Sequence, residues 1–284
     1  MRAIPSVVGY ALQESIRRRV FVVVLLLTAG FLVLYWLGVR QTYANIGDIG
    51  GRDNVEPVEL AGATLLGLGM FGTLFLGTVL AVFLTLGAVG GDAERGLLQP
   101  LVVRPVSRSS ILVARFLGAA GVCVLYVFAV FTGTLVITGL VGHWWPDRFV
   151  EPALGLGAAV ALLTAISLLG SVYLSSTANG IAVFMIFGGG LVAGLLGQIG
   201  RAIDSSSLET ASDVASGWLL PFEGLYQTAL AQLTADSDGA TQFVVRLGPF
   251  GGGESRGVQI IVWSLVYLAV VAVTAIWGFR RRDL

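Results

Sequence analysis

Six stretches of this chain contain 20 or more consecutive residues without an Asp, Glu, Lys, Arg or His. A helix that crosses a bilayer needs about 20 predominantly apolar residues, and every stretch is long enough. Of all residues 56% are apolar and 12% are charged, and the charged fraction is about half that of ordinary soluble domains. These proportions exclude a soluble or disordered chain.

The predicted fold is an all-α membrane protein embedded in the lipid bilayer. It forms a single transmembrane domain over residues 1–284, with spans at about 20–39, 60–89, 109–141, 153–174, 180–199 and 257–279.

The basic residues, all of them Arg, are distributed unevenly between the two sides of these spans. With the N-terminus inside the cell, the cytoplasmic segments carry 11 Arg and 4 acidic residues, and the external segments carry 6 Arg and 13 acidic residues. Cytoplasmic segments of membrane proteins are enriched in basic residues. The pattern therefore predicts a multi-pass protein of the cell membrane with cytoplasmic N- and C-termini. The zero net charge gives no reason to expect a nucleic-acid partner.

The residues before the first span have apolar side chains at helical spacing. Ile4, Val8, Leu12 and Ile16 recur at intervals of four, and three arginines follow at residues 17–19. The pattern predicts an N-terminal amphipathic helix on the cytoplasmic membrane surface. The alternative is a helical extension of the first span.

The external segment between spans five and six, residues 200–256, contains a further amphipathic pattern. Pro221 suits the first turn of a helix, and Glu223 suits its positive end. We expect an outer helix that dips into the membrane interface or packs against the spans, with Trp218 and Tyr226 as interfacial anchors. Its apolar face comprises Phe222, Leu225, Tyr226, Ala229, Leu230 and Leu233.

The cytoplasmic loop between spans two and three has the pattern of a short helix. Asp92 and Glu94 suit the positive N-terminal end of that helix, and the Arg104-Pro105 pair suits its end. A short helix held between two long spans can receive a push from a cytoplasmic partner. An ordinary basic loop is the alternative, and it accounts for Arg104 and Arg108 but does not require Glu94.

This loop resembles the corresponding loop in permease subunits of ABC type-2 exporters. The layout of the whole chain is also similar to that family, including the surface helix, a tight loop at 175–179 and the outer helix. The resemblance implies that the loop is a coupling helix contacting a separate nucleotide-binding subunit, and that two permeases, identical or paralogous, face each other. The residues expected to contact the ATPase subunit are Asp92, Glu94, Arg95, Gly96, Leu98, Arg104, Pro105, Ser107 and Arg108. Val106, Ile111 and Leu112 complete the match.

ATP hydrolysis is expected in a partner chain. A Walker-A loop uses a Lys to reach the nucleotide phosphates, and this sequence contains no Lys. ATP and Mg would therefore be bound by the partner ATPase, with no cofactor in this chain. One His and one Cys give no basis for a metal site or for the catalytic residues of an intramembrane enzyme.

The predicted function is a permease that forms the translocation path of an ATP-driven exporter. The apolar runs of the spans, which begin at Phe116 in the third span, contain no Asp, Glu, Lys, Arg or His. They offer no counter-ion to a strongly ionic cargo, so we expect an amphipathic or apolar substrate. An ion-coupled secondary transporter usually places an ionisable group in the bilayer, although unwound backbone can bind Na⁺ instead. That alternative and a non-transporting membrane scaffold stay open.

Span five contains a motif of small residues, Gly190 and Gly194, four positions apart. Small residues at this spacing let two helix backbones approach closely in a membrane. We expect these two glycines to pack against the second permease.

Overall fold

The computed structural model describes residues 19–45, 57–86, 108–233 and 257–281, and within these ranges the chain forms helices and short connections without a strand. The all-α prediction is confirmed. The predicted N-terminal surface helix lies outside the described residues. The helices are α1 (Arg19–Ala44), α2 (Pro57–Thr85), α3 (Arg108–Gly142), α4 (Val150–Tyr173), α5 (Ser176–Ala202), α6 (Ser206–Ser212), α7 (Pro221–Leu233) and α8 (Gly257–Arg281), and a π-helical stretch, Asp213–Leu219, joins α6 to α7.

Six of these helices, α1 to α5 and α8, are long and apolar enough to cross a membrane. The shortest, α4, has 24 residues, and the longest, α3, has 35. At 1.5 Å per residue they measure about 36 to 52 Å, more than the roughly 30 Å thickness of the bilayer hydrocarbon. The prediction of six spans is confirmed.

The centre of the bundle is formed by α2 and α4. In their most apolar stretches 72% and 61% of the residues are buried, against 22% in α1 and in α8. Gly77 of α2 permits close packing here, since a Cβ at this position would lie 2.6 Å from Val127 of α3 and 3.0 Å from Val160 of α4. The helices α1 and α8 are therefore peripheral in the single chain.

The helix α7 is buried against the spanning helices, chiefly α4. It begins at Pro221, as the sequence predicts, and packs against the spans, the second of the two predicted arrangements. A Cβ at Gly155 of α4 would lie 2.7 Å from the Cβ of Ala229. Tyr226 is fully buried, so its prediction as an interfacial anchor is wrong. Trp218 is 61% exposed and meets Trp263 of α8 edge to face.

The bundle has two ends. The end where α7 lies is called the cap, and the end where α2 ends and α3 begins is called the base. At the cap, Tyr43 of α1 donates a hydrogen bond to the Val58 carbonyl of α2 over 3.0 Å. At the base, α4 and α5 are joined by Leu174 and Ser175 alone, because α5 begins at Ser176. The connection predicted at 175–179 is thus shorter, and Asn179 belongs to α5 and is buried.

Candidate functional site

The residues predicted to contact an ATPase subunit fall almost entirely outside the described part of the chain. Arg108 is the first residue of α3, so the predicted coupling segment joins the base ends of α2 and α3. The contact with an ATPase subunit stays a prediction. The other predicted contact residues, Asp92, Glu94, Arg95, Gly96, Leu98, Arg104, Pro105 and Ser107, lie in the range 87–107, which is not described.

The base end of α2 is tied to α4 and, through α4, to α5. The hydroxyl groups of Thr85 in α2 and Ser167 in α4 lie 2.5 Å apart and share a hydrogen bond. The backbone carbonyl of Ser167 accepts a hydrogen bond from the Asn179 side-chain amide of α5 over 2.9 Å. All three side chains are buried. These two hydrogen bonds therefore connect the α2 end to α5 by way of α4.

The base end of α3 is tied to α8. The Arg280 guanidinium donates to the Ser109 hydroxyl, with 3.0 Å between Nη2 and Oγ. The same end of α8 also contacts α4, because the Tyr173 hydroxyl donates to the Thr274 carbonyl over 3.2 Å. Both helices that flank the predicted coupling segment are thus linked by side chains to the rest of the bundle.

Gly190 and Gly194 lie against α7 of their own chain. A Cβ at Gly190 would lie 2.5 Å from the Phe222 ring, and one at Gly194 would lie 2.4 Å from Glu223 Oε1. The close helix approach that the motif indicates is therefore made within the chain. Their predicted packing against a second permease stays a prediction.

A buried polar pair on α7 lies next to these glycines, and sequence reasoning missed it. Glu223 is fully buried and accepts a hydrogen bond from the Gln227 side-chain amide, with 2.7 Å between Oε1 and Nε2. The four-residue spacing of the two side chains on an otherwise apolar face was the signal available in the sequence. Burial, reinforced by the nearby Glu223 carboxyl, raises the pKa of Tyr226 well above its usual range. Within the described ranges, no three His, Cys, Asp or Glu side chains are grouped to hold a metal ion.

The helix α5 leaves an apolar stripe uncovered on a face other than the one that meets α7. The side chains of Ile181, Met185, Val192 and Ile199 are more than half exposed. Near the middle of the stripe, a Cβ at Gly188 would meet no atom of the described residues within 4 Å. An exposed apolar stripe with a small residue near its centre is the kind of surface through which membrane helices associate.

The comparison with known protein families gives a match that covers nearly the whole chain. Residues 7–284 match the family model described as ABC-2 family transporter protein. The matched range includes every described helix. No curated protein matches the chain significantly.

Proposed function

The chain belongs to the ABC-2 family of transporter proteins, and from that membership we propose that it is the permease subunit of an ATP-driven exporter. As a member of this family it is a multi-pass membrane component of an ABC transporter and not the catalytic subunit. The observation that carries the proposal is the family match over residues 7–284 in a chain with six spanning helices. The proposal goes beyond family membership in three respects, which are the export direction, the substrate class and the coupling to a separate ATPase.

A separate ATPase subunit supplies the energy in this proposal. The absence of Lys from the sequence removes the residue with which a Walker-A loop reaches nucleotide phosphates. ATP and Mg therefore bind to the partner. We place the ATPase beneath the base, in the cytoplasm, because the base segments carry the excess of Arg.

Coupling follows from the side-chain links at the base. Residues 92–108 join α2 to α3, so a partner that moves this segment moves the base ends of both helices. The Thr85–Ser167 hydrogen bond and the Asn179 bond to Ser167 extend that motion to α4 and α5. Packed helices respond to a local push by rigid-body shifts between discrete arrangements.

A second permease, identical or paralogous, completes the translocation path. The uncovered stripe of α5 supports this part of the proposal, because Gly188 and the exposed side chains of Met185 and Val192 have no cover within the described chain. The contact face proposed here is this stripe, which is distinct from the Gly190 and Gly194 face that Phe222 and Glu223 occupy.

The cargo in this proposal is amphipathic or apolar and leaves the cytoplasm. The six apolar runs contain no Asp, Glu, Lys, Arg or His that could act as a counter-ion for a strongly ionic substrate. With the base inside, the cap faces the outside of the cell, and the path opens toward the cap. A transport assay in which small hydrophilic ions are the preferred cargo would contradict this part of the proposal.

Affinity capture from native membranes tests the ATPase partnership. We expect a soluble P-loop ATPase to be captured with the wild-type chain and to be strongly reduced with Glu94→Arg, which reverses a charge in the predicted coupling segment. Asp147→Arg is the matched control, since it also reverses an acidic charge, at an exposed residue of the cap. Capture that Glu94→Arg leaves intact, at equal membrane expression, would contradict the assignment of the segment.

A further inference from the structure

A groove of about 700 Å³ lies between α4, α7 and α8, on the outside of the bundle. The α4 wall includes the small residues Gly155, Ala158 and Ala161, and the α8 wall is formed mainly by branched apolar residues. Because Leu154, Val258 and Leu265 are more than half exposed, the groove opens sideways between two spanning helices. The volume lies within the range of about 300 to 1,000 Å³ that is typical of ligand sites.

The groove runs along the helix axes over the depth of one membrane leaflet. On α4 its lining extends from Glu151 to Leu162, and on α8 from Gly257 to Leu268. Eleven residues of helix rise by about 16 Å, which is close to half of the roughly 30 Å hydrocarbon thickness. A groove of this length reaches from the membrane surface on the cap side to about the membrane centre.

The carboxyl and amide side chains of the groove lie at its cap end. Glu151 of α4 and Gln232 of α7 line that end, and the rest of the lining is apolar except for the hydroxyl residues Thr228 and Ser264. Neither hydroxyl is open to a ligand, because Thr228 donates to the Gly224 carbonyl of its own helix over 2.8 Å and the Ser264 hydroxyl oxygen is buried. The arrangement matches a ligand with a polar head and an apolar tail.

We propose that this groove binds a glycerophospholipid from the leaflet on the cap side. The head group lies beside Glu151 and Gln232 at the membrane surface, and an acyl chain lies along the apolar walls. Water is a poor occupant, because a water molecule needs two to four polar partners. The site is independent of the proposed transport function, since it depends only on the membrane location of α4 and α8.

The lipid site is tested by photolabelling the full chain in vesicles that contain a phospholipid with a diazirine midway along one acyl chain. After irradiation, peptide mapping locates the adducts. We expect residues 151–162 and 257–268 to be labelled at least about five-fold more than the peptide around Leu125 of α3, which is 69% exposed and samples bulk lipid. Such a preference corresponds to about 1 kcal/mol.

A groove-filling variant and a matched control complete the test. Ala158→Phe places a ring in the groove and should reduce labelling of both segments to the level of the bulk-lipid peptide. Ala269→Phe makes the same change at an exposed alanine of α8 that does not line the groove and should leave labelling unchanged.

Equal labelling of the groove and the Leu125 peptide in the wild-type chain would overturn the proposal. The wild-type comparison does not depend on either variant folding. Equal labelling would also be found if a part of residues 234–256, or a second copy of the chain, covered the groove.

Discussion

The hydroxyl of Thr85, in the last turn of α2, shares a 2.5 Å hydrogen bond with the hydroxyl of Ser167 on α4. Thr85 lies only a few residues before the segment proposed to receive the stroke of an ATPase. Both side chains are buried. The bond is thus the first link between that segment and the centre of the bundle.

A double-mutant cycle with Thr85→Val and Ser167→Ala should give a coupling energy of about 0.6 kcal/mol, the average for interhelical hydrogen bonds in membrane proteins. Unfolding in mixed micelles titrated with SDS measures it. Thr78→Val is the control, because the Thr78 hydroxyl donates to the Leu74 carbonyl of its own helix and should show no coupling to Ser167→Ala. Additive effects of Thr85→Val and Ser167→Ala would show that the bond contributes nothing.

Gly170→Ala should destabilise the base. A Cβ at Gly170 would lie 2.0 Å from the Asn179 side-chain oxygen, and Asn179 cannot move without losing its bond to Ser167. Overpacking of this kind costs about 1 to 3 kcal/mol. In α3, a Cβ at Gly121 would meet nothing within 4 Å in the part of the chain that the structure describes. Gly121→Ala should therefore be neutral or stabilise the helix by up to about 1 kcal/mol. The two variants are compared by thermal unfolding in detergent, and equal midpoints would contradict the packing described at the base.

Two glycines of α5 should respond differently to substitution. Gly190→Ala should lower the unfolding free energy of the isolated chain by about 1 to 3 kcal/mol, because the new methyl group meets the Phe222 ring. Gly188→Leu should leave the isolated chain as stable as the wild type but should weaken its self-association, since the added side chain projects from the uncovered stripe. Unfolding and the dimer fraction in bicelles are measured for both variants. If Gly188→Leu leaves the dimer fraction unchanged, the proposed contact face is wrong.

Tyr226→Phe should not destabilise the chain. The Tyr226 hydroxyl is buried and has no hydrogen-bond partner among the described residues, so its removal eliminates an unmet polar group. We expect an unfolding free energy equal to that of the wild type or up to about 1 kcal/mol higher. Tyr226→Ala removes the whole ring and should cost about 3 to 5 kcal/mol. A large loss in Tyr226→Phe would show that the hydroxyl has a partner.

The spanning helices could be predicted from the sequence because membrane crossing imposes a length and an apolar composition that few other structures require. The start of α7 at Pro221 was also predictable, because the preference of Pro for the first helical turn is local. Burial of α7 was not decided by its sequence. An apolar face with Tyr226 in it suits a membrane interface as well as a protein interior, and only the position of α4 determines which one it meets.

The partners of small residues were also beyond the sequence. The spacing of Gly190 and Gly194 indicates a close helix contact, but it carries no information on whether the other helix belongs to the same chain. The structure places Phe222 and Glu223 of α7 there. The Thr85–Ser167 bond joins residues 82 positions apart, and no local pattern reports such a pair. For the coupling segment the sequence was the more informative source. Its pattern predicts a short helix, but the segment lies outside the described residues.

The most direct measurement follows a fluorescent amphipathic lipid probe across the membrane of vesicles that contain the purified chain. We predict that the chain alone moves no probe, with or without ATP and Mg. Addition of the co-captured ATPase should produce ATP-dependent movement, and Glu94→Arg should abolish that movement. Probe movement at the full rate by the chain alone, without nucleotide or a second protein, would contradict the account.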